Sequence, residues 1–419
     1  MSGEPQSTGG HDLQPASLAD PQSRAAQGSE PIALEAPGKL FLAGEYAVLE
    51  PGRMALVAAV DRCLRLSLRT LATPIVELWH RPSKVALLGE LTGDARAPIA
   101  WAHGIPGELR FAARGAEGAL RLCAEEGLAP HGFAATFEND FDLGFSVAAS
   151  GEVESYPSED RAAPKLGLGG SAAATVLAVR AATLAQGRTL APEETLALAA
   201  AAHWVEQGGS GSGGDVAASA LGGLLEVRMR RAPESAEALW ASPARELLAH
   251  PLVEARAIEA PAELRLVVVY SGASADTRAL VREVRAFGKA HPQQFRALLD
   301  RISACAESLR TTLGAAARFP AEPAQHSVLG AVRAAATAMA ALGEAALTFI
   351  VTPELARICA LASSAGCAGK PSGAGGGDCA LVFAFGDTAR TRARELLAER
   401  GFPSATVRIA ETTLRRSSP

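Results

Sequence analysis

Lys39, Ser171 and Asp215 each stand at the edge of a glycine-dense segment, and that setting gives them their possible chemistry. The segments are PGK at 37–39, GLGGSAA at 167–173, QGGSGSGGD at 207–215 and SGAGGGDC at 372–379. Glycine costs about 1 kcal/mol relative to alanine in an ordered chain, so such density calls for a reason. In 167–173 the glycines run directly into small, helix-forming residues. A loop of this kind presents free backbone N–H groups at the positive end of a helix, an arrangement that holds anions and most often phosphate. Ser171 falls in the first helical turn, where its hydroxyl can reach a bound metal or a phosphate oxygen.

Taken singly, each segment has a plain alternative. GLGGSAA also reads as a tight turn entering a helix, PGK as a surface turn, SGAGGGDC as an extended hinge, and Asp215 as the N-cap of the helix that follows. The 167–173 loop lacks the spacing of a dinucleotide fingerprint, and no G-x-x-x-x-G-K-[ST] loop occurs in the chain. Taken together, glycine loops abutting regular structure, with a lysine in the first, suggest one nucleotide wrapped from several sides. The lysine usage fits. Of forty Lys plus Arg only five are lysine, at 39, 84, 165, 289 and 370, and three of these lie in or beside glycine-rich stretches. Lys39 and Lys165 are the candidate phosphate contacts, whereas Lys370 reads equally as a solvated hinge residue.

The elements that must position these residues follow from the rest of the chain. At 419 residues two domains are expected. The first 30 residues are polar and rich in Ser, Gln, Pro and Gly, and read as a disordered tail. Strands are predicted within 32–49 and 55–70, helices over 107–126, 170–186 and 191–206, and a strand at 264–270. Long helical patterns follow at 277–316, 325–344 and 353–365, then strand 380–385, helix 387–400 and strand 405–410. The stretch 232–262 has poor periodicity, and the domain boundary is placed at 235/236. A net charge of −5 argues against nucleic acid or a membrane surface as partner, and no apolar run approaches the roughly 20 residues of a span. Six scattered cysteines suggest neither a disulfide framework nor a zinc site and fit a reducing cytoplasm.

The segments APGKLFLAGEYAVLEPG (36–52), GLGGSAA and SGAGGGDC, in that order, resemble the three signature motifs of the GHMP small-molecule kinases. The resemblance spans about 31–411. It is closest to the phosphomevalonate kinase branch, through GEYAV and EPG in the first motif, the QGxGSGGD-like loop at 207–215, and Asp378 in the third. The resemblance implies an α+β, two-domain GHMP kinase fold. Its N-terminal domain (31–235) would be like domain 2 of ribosomal protein S5, its C-terminal domain (236–419) ferredoxin-like, with ATP between them.

The family's roles then map onto this sequence as expectations. Gly167, Leu168, Gly169, Gly170, Ser171, Ala172 and Ala173 would wrap the ATP phosphates, with Lys165 as an extra contact. Ser171 would approach Mg²⁺, while Gly170 stands where the family often has a serine. Lys39 and Asp215 would be catalytic, beside the transferred phosphoryl and the acceptor. Tyr46, Ser212, Gly213, Gly214, Ser274, Ser372, Gly373, Ala374 and Gly375 would contribute to the acceptor site. Ser271, Ser274 and Thr277 can bind acceptor oxygens or simply cap the next helix. Where mevalonate kinases hold magnesium with a glutamate, this chain has His203, a poor ligand for an ion that prefers oxygen. The implied reaction is ATP-dependent phosphorylation of 5-phosphomevalonate to 5-diphosphomevalonate in a cytoplasmic enzyme. Mevalonate kinase chemistry is the nearest alternative, and a non-catalytic GHMP-fold regulator is a remoter one that would be expected to lack Lys39 or Asp215. The oligomeric state is left open.

Overall fold

The computed structural model describes residues 30–139, 141, 146–147, 153–154, 167–273 and 276–411. The expected tail, Lys165 and Ser274 lie outside the described residues.

The first domain opens with β1 (Ile32–Ala43), a short helical turn at Ala47–Leu49, and the 18-residue β2 (Met54–Leu71). It continues through β3 (Ile75–His80), β4 (Val85–Leu91), β5 (Ile99–Trp101), α1 (Arg110–Glu125) and β6 (Gly132–Phe137). A two-stranded pair, β7 (Ser146–Val147) and β8 (Val153–Glu154), precedes α2 (Gly170–Ala185), α3 (Pro192–Glu206), α4 (Gly214–Leu221) and β9 (Leu224–Met229). Two short helices, α5 (Ala236–Ala241) and α6 (Ala244–Ala249), lead to β10 (Val253–Ile258). The sheet order is β10-β9-β2-β6-β3-β4-β5, with β1 also on β2, and only β3 and β6 run parallel. Because α2 and α3 are apolar nearly all round, they bury most of their residues between the sheet and α1.

β10 moves the domain boundary. It pairs with β9 over its whole length, and α5 and α6 pack on α1 and α3, so residues 236–258 belong to the first sheet and the division falls between Ile258 and Leu264. The expected boundary at 235/236 followed a local drop in periodicity, but strand pairing is decided by distant partners.

The second domain runs β11 (Leu264–Tyr270), α7 (Thr277–Ala290), α8 (Pro292–Arg318), α9 (Glu322–Ala345), α10 (Pro353–Ser364), β12 (Ala368–Pro371), β13 (Cys379–Phe385), α11 (Gly386–Ala398) and β14 (Ser404–Val407). Its antiparallel sheet has the order β12-β13-β11-β14. With α7–α10 counted as one helical crossover this is the β-α-β-β-α-β ferredoxin-like arrangement. The single helical pattern predicted over 277–316 breaks at Pro292, which opens α8. Residues 369–371, which the sequence reads as the start of a glycine loop over 369–379, instead join Ala368 in β12 against β13. α9 has the length and apolarity of a membrane span, which the sequence reading did not anticipate. Half of it is buried, against α8 and the small sheet, as a core helix of this domain.

The two domains share a core. Leu40 and Leu42 of β1 and Leu56 of β2 pack with Leu266, Leu309 and Phe383 of the second domain. The chain after β14 returns to the first sheet: Ala410 N–H donates to Ala59 O (2.9 Å), and its carbonyl accepts from Gly223 N–H (2.8 Å).

Candidate active site

The first two glycine segments meet at Lys39. The Lys39 N–H donates to Leu168 O at 2.8 Å, and its side-chain Nζ donates to Gly167 O. Gly38 permits this approach, since a Cβ there would lie 3.1 Å from the Leu168 carbonyl. Gly169 caps α2 in the left-handed region (φ 86°), and a Cβ on it would lie 3.0 Å from Lys39 Cγ and 3.7 Å from Asp215 Cβ. Lys39, the α2 entry and Asp215 are therefore packed against one another. Among the described residues no side chain caps α2, which leaves its first N–H groups to a ligand. Gly170 opens the helix and is exposed, whereas Ala172 and Ala173 point into the core and serve the loop only through their backbone.

Burial pushes the Lys39 ammonium below the usual lysine range. The carboxylates of Asp215, Asp378 and Glu45 work in the opposite direction, Asp215 most strongly. Asp215 is not the N-cap of α4. That place is taken by Gly213 (φ 70°), and Asp215 sits in the first turn with Oδ1 accepting from Val216 N–H at 2.9 Å. Ser212 Oγ accepts from Gly214 N–H at 3.3 Å and holds the turn.

His203 stands between the two halves of this cluster. Its Nε2 is 3.1 Å from Ser171 Oγ and 3.9 Å from Asp215 Oδ2, and its ring stacks on Phe111 at 4.8 Å. Burial holds its imidazole below the usual histidine range; Asp215 opposes this and Arg110 adds to it. Glu206, one turn further on, is engaged by Arg110 (3.7 Å) and Arg114 (3.4 Å). Among the described residues no group of three or more His, Cys, Asp and Glu side chains converges as a metal cage. A hydroxyl with one carboxylate close by suits an ion that arrives on nucleotide phosphates rather than one held by the protein alone.

The segment at 372–379, with the strand before it, supplies the second domain's side of the site. Lys370, which read equally as a solvated hinge residue, is fully buried: Nζ pairs with the buried Glu45 carboxylate and donates to Pro371 O at 2.5 Å. Next to Glu45, Tyr46 adopts φ 63°, a conformation seldom taken by a non-glycine residue, and its hydroxyl donates to Ala374 O at 2.6 Å. Burial raises the Tyr46 phenol above the usual tyrosine range. Gly375 has a packing role, since a Cβ there would lie 2.1 Å from Ile350 O.

Between the domains lies a cleft of about 900 Å³. Ser171, Ser212 and Asp215 line it from the first domain, and Tyr46, Gly373 and Ala374 from the junction. Ser372 and Gly375 are not in its wall. Thr277 lines the cleft, while Ser271 is buried and turns its hydroxyl onto Ala273 O (3.2 Å). The second domain's wall also carries Arg282, Arg285 and Lys289 of α7, which the motifs did not reveal because cations on an exposed helix read as a solvated face.

The sequence has relatives that match this arrangement. The model of the GHMP kinases N terminal domain matches residues 119–223, and that of the GHMP kinases C terminal matches 322–401. The phosphomevalonate kinase of Streptomyces sp. (strain CL190) is 31% identical over 389 residues, covering 87% of this chain and 92% of that protein. The chain belongs to the GHMP kinase family. Solved structures bear out the two-domain fold of this kinase. The Lin0012 protein of Listeria innocua superposes with a TM-score of 0.73 at 24% identity, over 91% of this chain and 100% of that one. The phosphomevalonate kinase of Streptococcus pneumoniae, in complex with phosphomevalonate and AMPPNP, gives 0.69 at 20% identity, over 90% and 99%. In this GHMP kinase contacts through Lys39, Glu45 and Tyr46 bring the three motif segments together at the junction of the two domains.

Proposed function

We propose that the protein transfers the γ-phosphoryl group of ATP to 5-phosphomevalonate, giving 5-diphosphomevalonate and ADP in the mevalonate pathway of isoprenoid biosynthesis. The observation that carries this reading is the packing of Lys39 and Asp215 against the α2 entry, next to a cleft that Ser171 and Asp215 line from the first domain and three cations of α7 line from the second. The relationship to the Streptomyces enzyme supports the choice of acceptor.

Each residue's part follows from charge. The N–H groups at the start of α2 hold the nucleotide phosphates, with Gly167 and Gly169 giving the turn its left-handed conformation. The Ser171 hydroxyl would help hold a magnesium ion carried on those phosphates, which when bound would supply neutralisation of charge developing in the transfer. Lys39 places a cation, poorly screened by water, beside the transferred group. The acceptor is a phosphate monoester with a second pKa of about 6, so it is largely a dianion at neutral pH and needs little help to lose a proton. Asp215 accordingly orients Lys39 and the acceptor, and proton abstraction is secondary. His203, neutral near pH 7, holds Ser171 Oγ in place. Six free thiols fit a reducing compartment and support a cytoplasmic enzyme.

A coupled assay of ADP release with phosphomevalonate and mevalonate side by side tests the reading. Turnover is expected with phosphomevalonate at a kcat/KM far above that for mevalonate. The reverse preference would overturn it.

A further inference from the structure

Resting on that reading, we infer that Arg285 and Lys289, assisted by Arg282, bind the carboxylate of the acceptor, the end remote from the reacting phosphate. Positions 282, 285 and 289 follow the i, i+3, i+7 spacing that places side chains on one face of a helix. The opposite face of α7 carries the core residues Leu280 and Val284. All three cations are exposed and line the 900 Å³ cleft, and among the described residues none has an ion-pair or hydrogen-bond partner. Several carboxylates around the cleft are committed elsewhere, Glu45 to Lys370, Glu206 to Arg110 and Arg114, and Glu283 to the Thr348 hydroxyl, while Asp215 in the cleft and Glu50 in the smaller cavity line the same walls without pairing with the α7 cations. Like charges spaced in this way on a helix repel one another, and an anion lying across them removes that cost.

The position along the cleft decides which anion. The reacting phosphate must come within about 3–3.5 Å of its partner, beside Lys39 and Ser171. Arg285 and Lys289 lie elsewhere. They also line a smaller cavity of about 380 Å³ that shares Tyr46 and Leu49 with the cleft. Tyr46 and Leu49 follow the end of β1, and the four steps from Lys39 to Ala43 alone cover about 13 Å of extended chain. α7 passes the third motif at Leu280, which a Cβ on Gly376 would meet at 2.3 Å, and from there to Lys289 it rises roughly 13 Å. The α7 cations thus face the far end of the acceptor. Phosphomevalonate carries its phosphate and its carboxylate at opposite ends of a five-carbon chain, matching the two-ended distribution of charge in the site.

The test compares the full-length wild type with Arg285→Ala/Lys289→Ala. Steady-state kinetics give KM for phosphomevalonate and for ATP. Isopentenyl phosphate, a phosphate monoester on a five-carbon skeleton without a carboxylate, is used as a competitor to give Ki. Expected in the double variant is a rise of about tenfold or more in KM for phosphomevalonate. KM for ATP and Ki for isopentenyl phosphate should stay unchanged. An unmoved KM for phosphomevalonate, or a parallel rise in Ki, would overturn the assignment while leaving the proposed activity standing. A wild type that does not turn over phosphomevalonate would remove both. Because the two side chains are exposed and without partners, the variant should unfold at the wild-type temperature, and a large fall in Tm would count against a purely ligand-binding role.

Discussion

Glu45 and Lys370, 325 positions apart, form an ion pair in which both side chains are buried. The pair joins the turn after β1 to β12 and so fastens the first motif to the third. Tyr46, next to Glu45, repeats the connection through Ala374 O. Removing one member leaves an unpaired charge in the interior, which typically costs about 3–5 kcal/mol. Lys370→Met is therefore expected to lower unfolding free energy by that order. Glu45→Leu/Lys370→Met should recover most of it, because two apolar side chains desolvate no charge. Denaturant unfolding of the single and double variants checks this; a double variant as unstable as Lys370→Met would refute it.

Lys39 touches the phosphate loop through Gly167 O, yet its proposed part lies in the transfer. Lys39→Met should reduce kcat by about 10³-fold or more, in line with other cations that stabilise phosphoryl transfer. The dissociation constant for ATP should change little, because backbone N–H groups do the holding. Single-turnover rates and nucleotide titration separate the two. Equal losses in both would show that Lys39 serves only to bind ATP.

The depressed Lys39 pKa predicts where activity ends on the alkaline side. The residue works as a cation, and burial lowers its pKa from 10.5, so the rate should fall with rising pH before the ordinary lysine range is reached. If any activity survives in Lys39→Arg, its alkaline limb should move upward, since arginine stays protonated past pH 12. An acid limb near pH 6 should remain in both, set by protonation of the acceptor phosphate. The pH profile of kcat at saturating substrates measures these limbs.

Gly169 and Gly170 are neighbours with opposite tolerance. A Cβ on Gly169 meets Lys39 Cγ at 3.0 Å, and its φ of 86° adds on the order of 1–2 kcal/mol for an L-residue. Gly169→Ala should raise KM for ATP and reduce kcat together. A Cβ on Gly170 meets nothing nearer than a Phe141 ring carbon at 4.0 Å, so Gly170→Ser should leave both constants close to wild type. Kinetics of the two variants, measured together, decide it.

The glycine segment at 167–173, Lys39 and Asp215 could be singled out as candidates in the sequence because their signal is local: glycines against a helix start, with a charge at a fixed offset. Other residues gave no such signal. Lys370 lies between a glycine and a proline, a context that reads as solvent-exposed, and only the fold shows Glu45 beside it. The α7 cations alternate with core residues as on any amphipathic surface helix, and the cleft they face is made by the other domain. His203 drew notice only as an unsuitable metal ligand, and its contact with Ser171 arises from α3 packing beside α2. The missed boundary has the same origin, since β10 belongs to the first sheet through its pairing with β9.

The return of the chain after β14 bears on how the enzyme is made. Ala59 and Gly223 take their partner from Ala410, and Asp61 takes Arg408 at 3.0 Å. On a ribosome adding about 5–20 residues per second, Gly223 emerges roughly ten to forty seconds before that partner exists. Throughout that interval the nascent first domain carries an open seam, and until Lys370 is made it also carries a Glu45 without its counter-ion. A translating ribosome thus holds a half-built kinase in which backbone groups of the first sheet and a carboxylate destined for burial still face water.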